Sequence, residues 1–474
     1  MKNRRVILLD IEQKLRRDFS DLYISYPVNV PKNVTKLGLI FNYHNNFSES
    51  NSDNVVMFVA LHDPEGFRGH RMNPGGKGDV SLELWTTPNN SSEGAIPGEI
   101  IPGEWTVKID IRALSIETSY ELHVYIETAD ETPEPINIDY PDAHIVKSEP
   151  GWYKGELHAH STESDGRYEV EDVIDAAKKY GLDFFALTDH TTCSQWYKLA
   201  KLQNPSTALI RSMEITSHLG HANLHGIKNW INVYIDEPGW SANQAAEEVH
   251  KQGGLFCVNH AFSGHLSWRD FDLDWGLVDM EEIYHNLEGA NNSYQLSLWD
   301  QHLNQGFRIV GVAGIDSHNP YEGIHELGQL VTCVYADELS EKGIIEGLRR
   351  GQVYISRGPD FRFNAKTGNI EAAMWESLPQ DGPITLEIDV KWNKPLNLFI
   401  IKNGLILDVL KTSSTDDDWQ KITFIDPEPG LKNQTYYRVE LHDDVLNLPY
   451  RGIIWRDFST MRVLSNPIWV GRKK

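Results

Sequence analysis

Thirteen of the nineteen histidines fall between His158 and His325. Neither core packing nor surface solvation gives a reason for such crowding, so metal ligation is the first chemistry to test. The sharpest piece is Glu156-Leu-His158-Ala-His160-Ser-Thr-Glu-Ser-Asp165-Gly166. Side chains alternate along a strand, so His158 and His160 share a face there. Two imidazoles at a strand end suit one divalent ion, and Asp165-Gly166 follows in a turn from which a carboxylate can reach back. Four further pieces resemble it in kind. Leu187-Thr-Asp189-His190 ends an apolar run, and Glu214 breaks a β-prone stretch in Arg211-Ser-Met-Glu214-Ile. Phe256-Cys-Val-Asn-His260 ends another apolar run, and Val310-Gly-Val-Ala-Gly-Ile-Asp316-Ser-His318 closes with a carboxylate and an imidazole two residues apart.

The elements that must position these groups alternate between strand and helix. Tyr153–His160 reads as a strand, Val170, Val173, Ile174 and Ala177 mark one helix face stopped at Gly181, and Leu182–Leu187 is an apolar strand. Ser241 caps a helix running to about Gln252, and Leu255–His260 follows as a strand. Asn291–Gln305 is a helix before the strand Phe307–Ala313, and Ser340–Arg350 is a further helix. This rhythm implies a parallel sheet, open or closed into a barrel. All five candidate pieces then lie at the carboxyl side of the sheet, where a (β/α) barrel assembles its active site.

On either side the chain reads as all-β. Before about residue 128 the runs Leu37–Tyr43, Val55–Leu61, Val80–Trp85, Trp105–Ile111 and Tyr120–Ile126 are separated by turn-rich pieces such as Asn73–Gly78. Thr128 through Pro150 is acidic and proline-containing and reads as a linker. Beyond about Pro379 come Ile384–Trp392, Leu396–Ile401, Leu405–Leu410, Tyr436–Leu441 and Ile468–Val470. The expected layout is an N-terminal β-sandwich with its linker over 1–149, an α/β barrel over 150–360, and a second β-sandwich over 361–474. A length of 474 residues accommodates three such parts.

Composition narrows the function. A net charge of −24 argues against grip on polymeric nucleic acid, which needs clustered Lys and Arg. It permits a small anionic substrate held by bound cations. The three cysteines, Cys193, Cys257 and Cys333, form no CxxC pair, which disfavours a disulfide scaffold or thiolate zinc site and points to a reducing compartment. The run Val6–Leu9 is too short for a signal-peptide core, and no stretch reaches the length of a membrane span. The chain therefore reads as cytoplasmic, with no membrane partner; the sequence leaves its oligomeric state open.

The order HxH–SDG, TDH, isolated Glu, Asn-His and DxH resembles the polymerase-and-histidinol-phosphatase (PHP) superfamily. Its nearer likeness is to the multidomain metal-dependent hydrolases that include carbaryl-hydrolase-like proteins. The resemblance covers about residues 150–360 and implies a distorted seven-stranded (β/α) barrel holding up to three divalent metals. Carried over residue by residue, His158, His160, Glu214 and Asp316 would hold one ion. Glu214 would bridge to a second that also takes His260, and Asp165, His190 and His318 would take the third. Many relatives place a further histidine after the bridging glutamate. Here the strand is Gly220-His221-Ala-Asn223-Leu-His225-Gly226, with Asn223 at the expected position. His221 is the favoured extra ligand and His225 the less favoured one.

Imidazole and carboxylate donors suit Zn, Mn or Fe better than Ca or Mg. Paired ions lower the pKa of a bridging water to about 7, so the expected nucleophile is a metal-bridging hydroxide attacking an ester. The expected substrate is a small-molecule or short-nucleotide phosphoester. The rivals are a metal-dependent carboxylester or carbamate hydrolase and a glycan- or protein-binding module with an inactive barrel. Asp165, His190 and His318 are also candidate catalytic groups, His318 as a leaving-group acid. Arg357, in Tyr354-Ile-Ser-Arg-Gly-Pro359, is a candidate clamp on a phosphoryl oxygen. Asp189 reads as a carboxylate that orients its neighbours, Lys154 as a solvated lysine and Cys193 as a packed thiol. His285 and Asn286 point to opposite strand faces, so one of them faces the cavity.

Overall fold

The computed structural model describes residues 4–19, 21–46, 55–73, 77–129, 133–136, 140, 144–202, 206–287, 289–414, 418–430, 435–444 and 458–471. The chain divides into two compact units. The first comprises Met1–Pro141, His160–Val173 and Asp189–Gln203, and the second comprises Asp142–Ala159, Ile174–Thr188 and Asn204–Lys474. No helix among the described residues is long and apolar enough to cross a membrane.

In the first unit, Arg4–Leu15, Thr118–Thr128, Lys36–Asn46 and Lys77–Thr86 form one four-stranded antiparallel sheet in that order. Tyr23–Val30, Gly103–Leu114, Val55–Asp63 and Gly66–Arg71 form another. Alternation puts Leu37, Leu39, Phe41 and Tyr43 of the first sheet and Trp105, Val107, Ile109 and Ile111 of the second into one hydrophobic cluster. Three of these strands escape a reading of apolar runs. Arg4–Leu15 is an edge strand with most side chains exposed or half-exposed. Tyr23–Val30 carries Pro27, which only an edge position tolerates. Gly66–Arg71 is glycine-rich and polar yet buries Phe67, Arg68 and His70.

In the second unit the chain runs through β1 (Gly151–Glu156), α1 (Val170–Lys179), β2 (Phe184–Leu187), β3 (Ala208–Ser217), β4 (Gly220–His225), α2 (Ala242–Lys251) and β5 (Leu255–Val258). It continues through β6 (Met280–His285), α3 (Gly289–Gln305), β7 (Val310–Gly314), β8 (Val331–Ala336), α4 (Glu341–Arg349) and β9 (Val353–Ser356). The first residues of α1 belong to the other unit. The helices form where period-3.6 patterning and caps place them. Ser241 Oγ accepts the Gln244 amide at the start of α2, and Ser340 Oγ accepts the Gly343 amide at the start of α4.

The sheet order is β7-β6-β5-β4-β3-β2-β1-β8-β9, continuing into Met461–Ser465, Thr435–Asp443, Leu396–Lys402 and Leu405–Lys411. The expected all-parallel sheet is corrected to a mixed one. β1/β2, β2/β3, β5/β6 and β6/β7 are parallel, while β4 runs antiparallel to both β3 and β5. The cause is local: β3 and β4 are joined by His218-Leu219 alone, and so short a connection makes a hairpin, not a crossover. Past the ends of β1 and β7, an isolated parallel bridge pairs Ala159 with Ser317.

Two other expectations shift. Within the acidic stretch, residues 130–132, 137–139 and 141–143 lie outside the described residues, as do 74–76 of the turn after Asn73. Ile145–Lys147, read as linker, pairs with Leu339–Ser340 as a short strand. Toward the C-terminus, Asp360–Thr367, Ile370–Ala373, Ile384–Lys391 and Gln420–Asp426 make a four-stranded antiparallel sheet of their own. The remaining C-terminal strands continue the long sheet through the β9 pairing with Met461–Ser465.

A buried ion pair ties α3 to that extension. Arg438 is fully buried and binds both oxygens of Asp300, Nε to Oδ1 at 2.9 Å and Nη2 to Oδ2 at 2.7 Å, and Tyr436 donates to the same carboxylate at 2.8 Å. Arg438 also pairs with buried Glu440, so Asp300→Ala removes three charge-assisted hydrogen bonds without stranding the guanidinium and is expected to cost about 3 kcal/mol in chemical denaturation; a loss within experimental error would contradict this. At the end of α2, His250 Nε2 donates to Asp279 Oδ2 at 2.8 Å, and this bond raises the His250 pKa above its ordinary value. The stabilisation is complete below the unfolded value of about 6.5 and is lost as pH rises through the raised folded value. Titration of the His250 ring by NMR should give a midpoint above 6.5.

Candidate metal centre

In the second unit, one imidazole sits among three carboxylates. His158, beyond the end of β1, places Nε2 at 3.4 Å from Glu214 Oε1 and 3.4 Å from Asp316 Oδ1. Its Nδ1 lies 3.1 Å from Glu282 Oε2. Glu214, on β3, also faces His221 of β4, with Nδ1 at 3.3 Å, and His260 past β5, with Nε2 at 3.5 Å. Two ligands held near 2.1 Å from a tetrahedral ion stand about 3.4 Å apart, so these separations suit donors sharing a cation better than donors hydrogen-bonded to each other. The ligand atoms of His158, Glu214 and His260 lie within 4.8 Å of one another. Asn259 Nδ2 donates to Glu214 Oε1 at 2.8 Å and fixes the carboxylate. His260 is buried, and its Nδ1 has no hydrogen-bond partner among the described residues. Ring flips exchange the two nitrogens, so this imidazole has one nitrogen available to an ion. Donor types, spacing and burial all fit a divalent metal.

The electrostatics ask for a cation. Burial opposes charge on His158, yet Glu282, Asp316 and Glu214 outweigh it and hold its pKa well above the ordinary value. Burial likewise pushes against the Glu282 carboxylate, but His158 and His285 draw its pKa down to about 2. Glu156 differs: burial pushes it up to about 8, although it accepts the Leu157, His158 and Ile315 amides through Oε1 and so pins the start of the ligand segment. A metal ion and a proton are alternative ways to balance the same carboxylates.

The backbone makes room for this crowding. A Cβ on Gly314 would fall 2.5 Å from Glu282 Oε1 and 2.6 Å from the His158 Cβ, so only glycine lets these side chains meet at β7. Asp316, His260 and Asn286 hold positive φ of 52°, 25° and 39°. Non-glycine residues adopt this region at a cost, and such strain clusters at functional sites.

The first unit carries a second set. The ligand atoms of His160, Asp165 and His190 lie within 4.8 Å of one another. The His160 and His190 rings stack with centroids 4.3 Å apart, and His190 Nε2 is 3.6 Å from Asp165 Oδ1. Asp189 organises their loop, accepting the Ser161 amide at 2.8 Å and the Ser161 and Ser164 hydroxyls at 2.8 and 2.7 Å. Burial pushes its pKa up to about 6 against those bonds. Glu163 fastens the same loop to the Gly94 turn and to the segment around Ser194–Lys198: its carboxylate accepts the Gly94 amide at 2.8 Å and the Ser194 hydroxyl at 2.6 Å, and pairs with Lys198 at 2.8 Å. Gly94 has φ +76°, and a Cβ there would lie 2.0 Å from the His70 carbonyl oxygen.

The remaining candidates have these places. His318 lies in the second unit, Nδ1 donating to the Asp316 carbonyl at 3.0 Å and standing 3.5 Å from Asp316 Oδ1. On β4, His221 turns to Glu214, Asn223 Nδ2 donates to the Leu157 carbonyl at 3.3 Å, and His225 Nδ1 meets Ser212 Oγ at 2.9 Å. Burial lowers the His225 pKa to about 3. Arg357 directs its guanidinium to the Tyr284 hydroxyl at 3.0 Å and the Ser459 carbonyl at 3.1 Å. Lys154 is exposed, and burial pushes the Cys193 thiol up to about 12. The sequence does not single out Glu282, and it leaves His285 only as one of two residues, with Asn286, of which one faces the cavity. Glu282 and His285 are three residues apart, odd spacing that simple alternation places on opposite faces. A register irregularity between Glu282 and Tyr284 shifts the phase of β6, and His285 Nδ1 meets Glu282 Oε1 at 2.9 Å.

Residues 156–290 match the family model of the PHP domain. An uncharacterized protein of Methanocaldococcus jannaschii is 27% identical over 157 residues, 29% of this chain and 87% of that protein. The DNA polymerase/3′-5′ exonuclease PolX of Bacillus subtilis is 44% identical over 61 residues, 13% of this chain and 10% of the polymerase. A solved two-domain protein of Bacteroides vulgatus, described as containing a predicted PHP-like metal-dependent phosphoesterase, is similar over 66% of this chain and 95% of its own at 17% identity, with a TM-score of 0.40. Residues 156–290, which carry most of the imidazole and carboxylate donors described above, are thus similar to a PHP domain.

Proposed function

We propose that the protein is a metal-dependent phosphoesterase acting on a small-molecule or short-nucleotide phosphoester. The observation that carries this reading is the convergence of His158, His221 and His260 on the single carboxylate of Glu214, at 3.3 to 3.5 Å. With His160, Asp165 and His190 as a further donor set, the chain has ligands for up to three ions of the Zn, Mn or Fe type. A seven-strand barrel from β1 to β7 is the proposed scaffold, supported by the Ala159–Ser317 bridge, with β-sandwiches before residue 150 and after 360. The buried free thiols of Cys193, Cys257 and Cys333 support a reducing, cytoplasmic setting.

Bound divalent ions supply Lewis acidity and a water that deprotonates near neutral pH. The protein's own part is to orient donors and hold protons. Glu282 accepts from His158 Nδ1 and turns Nε2 toward Glu214 and Asp316, a carboxylate–histidine arrangement that raises ligand basicity. Asn259 holds Glu214 in place from outside the donor set. His318, whose Nδ1 donates to the Asp316 carbonyl, is the proposed carrier of a proton for the leaving group. Arg357 serves as a phosphoryl clamp only if it exchanges its bonds to Tyr284 and Ser459.

Bis-p-nitrophenyl phosphate and p-nitrophenyl acetate, each with and without chelator, test the reading. The expected result is phosphodiester turnover that chelation abolishes and added Mn, Zn or Fe restores. Turnover confined to the acetate would assign the site to carboxyl or carbamate esters, and a metal-loaded protein inert toward both would favour a binding role. Glu282→Gln is expected to lower metal affinity or turnover on the order of 10- to 100-fold, and unchanged values would contradict its orienting role.

A further inference from the structure

We propose that His285 is an additional metal ligand, beside His158 and Asp316, in the second unit's centre. The inference rests on the metal-dependent reading above and adds a donor that no motif in the sequence marks.

Glu282 is the starting point. It is buried, and its two oxygens receive two different imidazoles: Oε2 meets His158 Nδ1 at 3.1 Å and Oε1 meets His285 Nδ1 at 2.9 Å. The ligand atoms of the three residues lie within 4.8 Å of one another. One carboxylate therefore orients both rings in the same sense, by their Nδ1 atoms. Each ring then presents its Nε2 to the same acceptor. His158 Nε2 stands 3.4 Å from Asp316 Oδ1, and His285 Nε2 stands 3.7 Å from Asp316 Oδ2. Both separations exceed a hydrogen bond and match donors that share an ion. His158 is an expected ligand, and His285 shares with it the Glu282 anchor at Nδ1 and the approach of Nε2 to Asp316.

The surroundings agree. The His285 ring packs edge-on to His260 at 4.7 Å between centroids and lies 6.2 Å from His158, so three imidazoles bound one space. Only 13% of its side chain is exposed. The phase shift in β6 turns Glu282 and His285 to one side, and the next residue, Asn286, takes φ 39° as its amide bonds the Gly314 carbonyl at 2.9 Å. A strand irregularity that re-aims one side chain toward a ligand cluster is a common device beside active sites. The consequence is a richer nitrogen donor set, which favours zinc or iron over the harder, oxygen-seeking cations.

Anomalous diffraction from the native protein soaked with zinc tests this directly. The expected result is an ion at about 2.0–2.1 Å from His285 Nε2. An ion bound to His158 and Asp316 but more than about 3 Å from His285 Nε2 would overturn the proposal and leave the metal-hydrolase reading intact. No ion at His158, Glu214, His260 or Asp316 would instead overturn that reading, and this one with it. In solution, H285Q should retain the parent's circular dichroism and lose on the order of 10- to 100-fold in zinc affinity. In the cobalt-loaded protein it should also lack one hyperfine-shifted imidazole N–H resonance. A folded variant with parental affinity and the full set of resonances would overturn the proposal. Should the variant fail to fold, the diffraction result on the native chain decides.

Discussion

Three carboxylates gathered about one buried imidazole are the constraint on which the second unit turns. Glu214, Glu282 and Asp316 all approach His158, and the first two are almost wholly buried. Burying several negative charges is expensive unless a cation or a proton compensates. The protein alone offers His158 a proton, which is why its pKa climbs despite burial. An ion does the same work more completely, because one cation can serve every carboxylate and leave the imidazoles neutral as donors. On the proposed reading, the fold stores an electrostatic demand that a bound cation would answer.

The scaffold meets this demand by bringing side chains to the ends of short, fully buried strands. Phe184, Ala186, Ile210, Leu255, Cys257, Met280, Val310 and Val312 form the apolar packing that fixes those strands. Just beyond it the backbone departs from regular geometry, at His260, Asn286 and Asp316, and the polar groups begin. Core and site are thus a few residues apart on the same strands. The loop bearing Asp165 uses a different solution, being held by Asp189 and Glu163 through serine hydroxyls and backbone amides. Through Glu163 the loop is tied to the Ser92–Ala95 turn of the N-terminal part, whose Gly94 amide it binds.

Much of this was legible in the residues themselves. The apolar runs that become β2, β5 and β7 are plain in the sequence, and Ser241 and Ser340 cap where their context says they should, whereas His158, His160, Asp316 and His318 lie past the strand ends, where alternation no longer applies. The failures have equally specific causes. The strand–helix rhythm implied a parallel sheet, but the two-residue connection between β3 and β4 requires an antiparallel pairing there. The pairing of Glu282 with His285 was hidden by a phase shift that alternation cannot anticipate. The edge strand Arg4–Leu15 has its apolar residues bunched at Val6–Leu9, not alternating, so it lacked the signature of a half-buried strand. For Arg357 the sequence could not show its partners, Tyr284 and Ser459, because they come from segments 73 and 102 residues away.

The number of metal ions per chain, in native protein and in Glu214→Gln prepared identically without chelator, is the most direct measurement. Mass spectrometric metal analysis should find at least one tightly held Zn, Mn or Fe ion per native chain and fewer in the variant, whose amide can neither balance nor bridge cations. Native protein that is folded, carries no such ion and takes none up on dialysis against all three would contradict the account at its root.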